Sequence, residues 1–301
     1  MDAAKGEFAG DSRTQFMNAA LTLPMASALV PISAFGGGLV ALPTPDIILS
    51  AIALDPSGTV LDNNLGSAFS DGVMLVTSGK ITIRPFGLVG HQSLTGIWSD
   101  KSRLSLIQDP SNLGRLLLQS KFPVLADPGP LLTRILERYY PGLLVPTQPA
   151  NRESSTWAIV YGFDQSLWQP DGDPKRSIGI FFNFGASDGR ANPVAYSFSA
   201  GIGGKGIVPG RPNDNFGIGW ARTQFSDHFV PFLRKNLHLG LEKEDAVEIF
   251  YNAAITPWMN LGLDLQIIRP AFSRIPQSGG GTPLRPVDTA VVGGIRLHTK
   301  F

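Results

Sequence analysis

Seven charged residues sit at alternate positions of strand-like runs, so each must point to one chosen face: Lys80, Arg84, Asp164, Glu248, Asp264, Arg296 and Lys300. Asn183, Asn252 and Gln266 share that parity within their own runs. Single charges and amides spaced among Gly, Ala and Ser do not suit bond-making. They suit a wall that hydrogen-bonds a hydrated solute as it passes. Arg296, Glu248 and Asp264 are the strongest candidates, because they lie inside the most regular runs.

The alternatives for chemistry are weak. "GIGGKG" (Gly201 to Gly206) matches a dinucleotide fingerprint, but Pro209 and Pro212 forbid the helix that must follow it. Ser226-Asp227-His228 has the residue types of a hydrolase triad, yet sequence neighbours rarely meet in triad geometry and there is no G-x-S-x-G elbow. His91, His228, His238 and His298 show no metal-ligand spacing, and the chain has no cysteine. The sequence therefore predicts no enzyme, no metal and no cofactor.

These residues are positioned by period-2 strands. In "MNLGLDLQI", Met259, Leu261, Leu263, Leu265 and Ile267 take one face, and Asn260, Gly262, Asp264 and Gln266 the other. Val247 to Ile255 and Thr289 to Phe301 alternate likewise, as do runs at 157–163, 178–185, 196–202 and 216–221. Further strands are expected at 73–84 and 90–98, with three more before residue 55, about twelve in all. The connections alternate between long and short. "TPW" (Thr256 to Trp258), Pro85 to Gly87 and 43–45 are tight, whereas 55–71, 100–155, 224–245 and 269–288 are long. The 100–155 link contains "GPLLTRILERYYPGLL" (Gly129 to Leu144), which is apolar at helical spacing between prolines.

Short turns on one rim and long loops on the other mark an up-and-down membrane barrel, whose apolar face meets lipid and whose polar face lines the lumen. Composition agrees. Charged residues are only 16% of the 301, below the roughly 25% of soluble domains, and the net charge of +1 argues against a nucleic-acid partner. Trp157, Trp168, Trp220 and Trp258 fall near strand ends, where an interfacial girdle wants them. Small residues on the polar face would give a lumen its clearance. The apolar run Met25 to Leu42 holds Pro31 and Gly36-Gly37-Gly38, so two short strands with a turn at "PTP" (Pro43 to Pro45) fit better than a spanning helix. The polar start "MDAAKGEFAGDSRTQF" does not read as a signal peptide.

"FDQSLWQPDGDPKRSIGIFFNFGASDGRANPVAYSFSAGIGGKGIVPGRPNDNFGIGWA" (Phe163 to Ala221) resembles the carbohydrate-selective porin (OprB-type) family. So do "EIFYNAAITPWMNLGLDLQIIRP", "GLVGHQSLTGIWSD" and "TQFMNAALTLP", in the family's order. The resemblance implies an all-β, transmembrane antiparallel barrel of about sixteen strands, with residues 1–301 forming one porin domain that lacks the signal peptide and first strands. It implies an integral outer-membrane location of Gram-negative type, in contact with lipid. Small carbohydrates and other small hydrophilic solutes would pass by diffusion. The closing "VVGGIRLHTKF" ends on Phe301, which the resemblance casts as the signal read by the barrel assembly machinery. A homo-oligomer is left open. The competing expectations are a non-transporting structural or adhesive barrel, a non-functional truncated copy, and a soluble β-sandwich.

Overall fold

The computed structural model describes residues 6–31, 33–57, 65–108, 129–139, 149–170, 173, 175–228, 243–272, 274–276 and 284–300. Within these, eleven strands form one antiparallel sheet in which each strand pairs with the next strand along its own order. They are Gly36–Thr44 (β1), Ile47–Leu54 (β2), Met74–Ile83 (β3), Gly90–Ser99 (β4), Thr156–Trp168 (β7), Ser177–Ser187 (β8), Val194–Lys205 (β9), Asn215–Phe225 (β10), Lys243–Thr256 (β11), Met259–Arg269 (β12) and Ala290–Thr299 (β15). Two small pairs lie in the long connections: Arg103–Leu104 (β5) with Arg152–Glu153 (β6), and Arg274–Pro276 (β13) with Leu284–Pro286 (β14). The sheet order runs from β1 at one edge to β15 at the other, and no ladder joins them.

The expected connections are present. β1 turns into β2 at residues 45–46, β3 into β4 through a 3-10 turn at Pro85–Gly87, and β11 into β12 at residues 257–258, all on one rim. The long links after β2, β4, β10 and β12 leave from the other rim. Gly129–Tyr139 is helical, as the Leu/Ile spacing predicts.

Two expectations need correction. The main sheet has eleven strands among the described residues, not about twelve, and two rather than three precede residue 55. In place of the third, residues 6–30 form irregular chain with a one-turn helix, Ala19–Thr22, and a 3-10 stretch, Met25–Leu29. The reason is local. Asn18 accepts the Ala20 N–H at 3.0 Å and caps the short helix, while Pro24 and Pro31 interrupt any ladder.

The core is inverted relative to a soluble sheet. Ile249, Leu263, Leu265 and Ile267 are about half exposed, whereas Glu248 is 0% and Asp264 only 9% exposed. The apolar parity faces outward and the polar parity inward. The inner side is packed by the 6–30 segment: Phe8, Ala9, Phe16 and Leu21 form one buried cluster with Phe181, Ala221 and Phe250. A second cluster, Met74, Ile97 and Ala158, receives Leu29 and Val30 from the same segment.

Candidate functional site

Strand register builds the inner face in rungs, because residues paired across antiparallel neighbours point the same way. One rung runs Lys80, Ser93, Gly162, Asn183, Ser199 and Ala221. The next runs Thr82, His91, Asp164, Phe181, Gly201, Gly219, Glu248 and Gln266. Gly217, Phe250, Asp264 and Gly294 form a third, and Asn215, Asn252, Gly262 and Arg296 a fourth. Eight of the ten sequence-predicted wall residues therefore share one face: Lys80, Asp164, Asn183, Glu248, Asn252, Asp264, Gln266 and Arg296.

Lys300 and Arg84 do not join them: Lys300 lies exposed just past β15, where its N–H donates to the Trp258 carbonyl at 2.8 Å. Arg84 lies just past β3, on the short-turn rim, where it makes a fork to Asp46 with Nη1 to Oδ2 at 2.9 Å and Nη2 to Oδ1 at 2.6 Å. Asp46 is the neighbour across the β1–β2 turn, so the pair ties two adjacent turns together. The Arg84 hydrogen bond holds the Asp46 carboxyl below its ordinary range. Phe301 lies outside the described residues.

The wall residues hold chain as well as facing inward. Glu248 accepts the Met17 N–H at 2.5 Å and the Asn18 N–H at 2.8 Å, one on each oxygen. Gln266 accepts from Asn18 Nδ2 at 3.2 Å. Arg296 donates from Nη1 to the Ser12 carbonyl and from Nη2 to the Gln15 carbonyl at 2.7 Å. Asp164 accepts from His91 Nδ1 at 2.8 Å and from the Glu7 N–H at 3.3 Å, and Lys205 pairs with the Glu7 carboxylate. Asn192 donates to the Ala26 carbonyl at 3.1 Å. Irregular backbone at membrane depth is tolerated only when protein or water satisfies its polar groups, and these side chains supply that satisfaction.

The glycines on the same face have a matching use. A Cβ on Gly203 would meet Phe8 at 2.7 Å, and one on Gly219 would meet Leu21 at 2.7 Å and Phe16 at 3.1 Å. Phe16 then sits between Phe181 and Phe250, with ring centroids 5.4 and 4.7 Å away. The sequence reading took these small residues as clearance for solute. In the structure the clearance around β8–β11 is taken up by the phenylalanines of 6–30.

The weaker motifs resolve as turns and caps. "GIGGKG" ends β9 and turns at Gly206 (φ 63°) toward β10, with no helix. Ser226 donates to the Gly189 carbonyl and accepts the His228 N–H at 3.1 Å, closing a loop. Outside the spanning strands two carboxylates organise the rims. Burial raises Asp188, but Thr156 Oγ1 and the Ala191, Arg190 and Asn192 N–H groups outweigh it and hold the carboxyl below its ordinary range. At the opposite rim burial likewise raises Asp214, and Tyr251, Arg211 and the Ala254 N–H outweigh it in the same way. Sequence reasoning missed His91 and the 6–30 segment. The available signal for the segment was Phe8 and Phe16 facing paired glycines at 201/203 and 217/219, visible only once register is known.

A sheet that is apolar outside and polar inside, with long loops segregated to one rim, is the wall of a membrane β-barrel. The sequence model of the carbohydrate-selective porin, OprB family, matches residues 1–301. The chain belongs to that family. It is 28% identical over 158 residues to Porin B of Pseudomonas aeruginosa, an alignment covering 48% of this chain and 32% of that one. The fold is similar to a solved structure described as the high pH structure of Pseudomonas putida OprB, with a TM-score of 0.61 and 19% identity. That similarity covers 87% of this chain and 57% of the other, so the chain spans little more than half of the solved relative.

Proposed function

We propose that this chain forms the wall of an outer-membrane channel through which carbohydrates and other small hydrophilic solutes diffuse passively. The observation that carries the reading is the inversion of the sheet: aliphatic residues outward, and Lys80, Asp164, Asn183, Glu248, Asp264 and Arg296 on the inner face. The proposed mechanism uses no cofactor. Polar wall groups and water replace part of the solute's hydration, and the 6–30 segment, bound across the inner face, narrows the path. The chain acts as one barrel domain, 1–301, embedded in outer-membrane lipid and inserted by the barrel assembly machinery through Phe301.

Liposome swelling with sugars of graded size tests this. Vesicles carrying the chain swell with small sugars more slowly as sugar size increases, and deletion of 6–30 raises the size limit. A second reading, a non-transporting barrel, is favoured by the depth to which Phe8, Phe16 and Leu21 fill the inner face. It predicts neither swelling nor conductance in vesicles that contain fully folded protein.

A further inference from the structure

The outward face of β10, β11 and β12 changes from apolar to charged at one latitude. β10 passes from Ile218 and Trp220 to Arg222, β11 from Ile249 and Val247 to Asp245, and β12 from Leu265 and Ile267 to Arg269. Register places the three charged residues in a single rung, Arg222 opposite Asp245 and Asp245 opposite Arg269. Lys243 stands at the next outward position of β11. The long links after β10 and β12 leave from just beyond this rung, so it borders the long-loop rim. The Asp245 carboxylate positions one cation rather than cancelling the patch. Its Oδ1 accepts from Arg222 Nε at 2.7 Å and from Trp220 Nε1 at 3.3 Å, and Arg222 Cζ lies 5.2 Å from the Trp220 ring centroid. Among the described residues no hydrogen bond engages Nη1 or Nη2 of Arg222, and neither the exposed Arg269 nor the half-buried Lys243 makes a side-chain hydrogen bond or salt bridge. Neighbouring strands stand about 4.8 Å apart, so Arg222 and Arg269 are about 10 Å apart at the backbone, a span that two long side chains can close on one phosphate or bridge across two.

We propose that Arg222, Lys243 and Arg269 form a binding site for the phosphorylated headgroup of an outer-leaflet glycolipid, whose acyl chains lie along the aliphatic face beside it. The inference rests on the reading that the outer face meets lipid, and is independent of what passes through the channel. Charge complementarity carries it. Three cations against one carboxylate leave an excess of positive charge, and a phosphate monoester carries about −1.5 to −2 near neutral pH. Arginine forks grip phosphate oxygens bidentately, and Lys243 adds a point charge. Long cationic side chains at the edge of hydrocarbon turn toward the headgroup layer, where Trp and Tyr rings also settle; Trp220 and Tyr196 are exposed at this level. Long loops mark the outward rim of such barrels, which assigns the patch to the outer leaflet. The rung immediately toward the midplane is Trp220, Val247 and Ile267. It offers an apolar surface to acyl chains, which a free phosphate could not use.

The test is native mass spectrometry of the detergent-refolded chain titrated with a bisphosphorylated, acylated diglucosamine (lipid A). The same lipid without its phosphates and inorganic phosphate are the other arms, and heat-modifiable migration is the folding control. Folded wild type is expected to bind the phosphorylated lipid at least about tenfold more tightly than the phosphate-free one. Lys243→Gln/Arg269→Gln leaves the Arg222–Asp245 pair in place and is expected to remove most of that preference. Lys300→Gln, at the opposite rim, is expected to keep it. If the double variant fails the folding control, Arg222→Lys, which keeps the charge but not the fork, is expected to weaken the preference instead. No phosphate preference in folded wild type overturns the proposal. So does a preference that is unchanged in the folded variants of the patch, or lost equally in Lys300→Gln. Inorganic phosphate displacing the lipid at comparable concentration overturns the lipid headgroup in favour of a free anion. Vesicle swelling without the phosphate preference removes the lipid site and leaves the channel. The preference without swelling leaves the lipid site on a barrel that does not conduct.

Discussion

Arg296 shows how one side chain fixes a stretch of chain with no ladder of its own. Its two terminal nitrogens engage the carbonyls of Ser12 and Gln15, on either side of the exposed Arg13. Hydrogen bonds to a charged group contribute about 1.5–3 kcal/mol each, so Arg296→Met is expected to open the segment locally. Trypsin cleavage after Arg13 should then be at least about tenfold faster, read by mass spectrometry of the folded protein. Unchanged cleavage would mean that Glu248 and the phenylalanines hold the segment without Arg296. Asp188 gives a pH prediction at the same scale. Its folded carboxyl lies below the ordinary range, so its stabilisation is present above the unfolded value and is lost as pH falls through the folded one. Wild type should therefore be more stable than Asp188→Asn at neutral pH, with the gap shrinking as pH drops below the ordinary carboxylate range. Urea titrations at stepped pH would check it; a pH-independent gap would assign the effect to the Thr156 hydrogen bond alone.

Among the elements, β11 and β12 were legible because their alternation is strict and their faces differ sharply in polarity. Leu263→Arg tests the outer face: it should cost about 2–4 kcal/mol if Leu263 meets the bilayer midplane. A cysteine scan separates lipid from protein contact, with a membrane-restricted thiol reagent expected at 261, 263, 265 and 267 and little aqueous labelling there. Protection from both reagents would place these side chains inside protein. β1 was harder to read. "GGGLVALPT" is apolar or glycine on both parities, and all nine of its residues are exposed as an edge strand, so alternation could not find its bounds. The place of the 6–30 segment inside the sheet was not legible: "TQFMNAALTLP" carries the resemblance but has no strand period. The groups it offers to Glu248 and Arg296 are backbone N–H and carbonyl groups, which carry no sequence identity and lie more than two hundred residues away. Once placed, it makes a prediction of its own. Gly219→Leu collides with Leu21 and Phe16, and overpacking of this kind costs about 1–3 kcal/mol. It should loosen the segment, read as faster cleavage at Arg13, while the strands keep their heat-modifiable fold.

At the scale of the whole molecule, the fold shared with the solved relative covers 87% of this chain and 57% of the other. The direction of its strands adds a constraint. Every ladder among the eleven is antiparallel, and eleven is an odd number, so β1 and β15 point the same way. Drawing these two edges together would make a parallel seam, with slanted, slightly weaker bonds. Two copies standing side by side in the same membrane orientation would meet at the same kind of seam, twice. Only an odd number of additional strands, from whatever chain, lets every joint in a closed ring be antiparallel. Cysteines at Val40 and Ile295 should therefore fail to cross-link within a single folded chain, and efficient intramolecular cross-linking would reveal a ring closed against its own polarity.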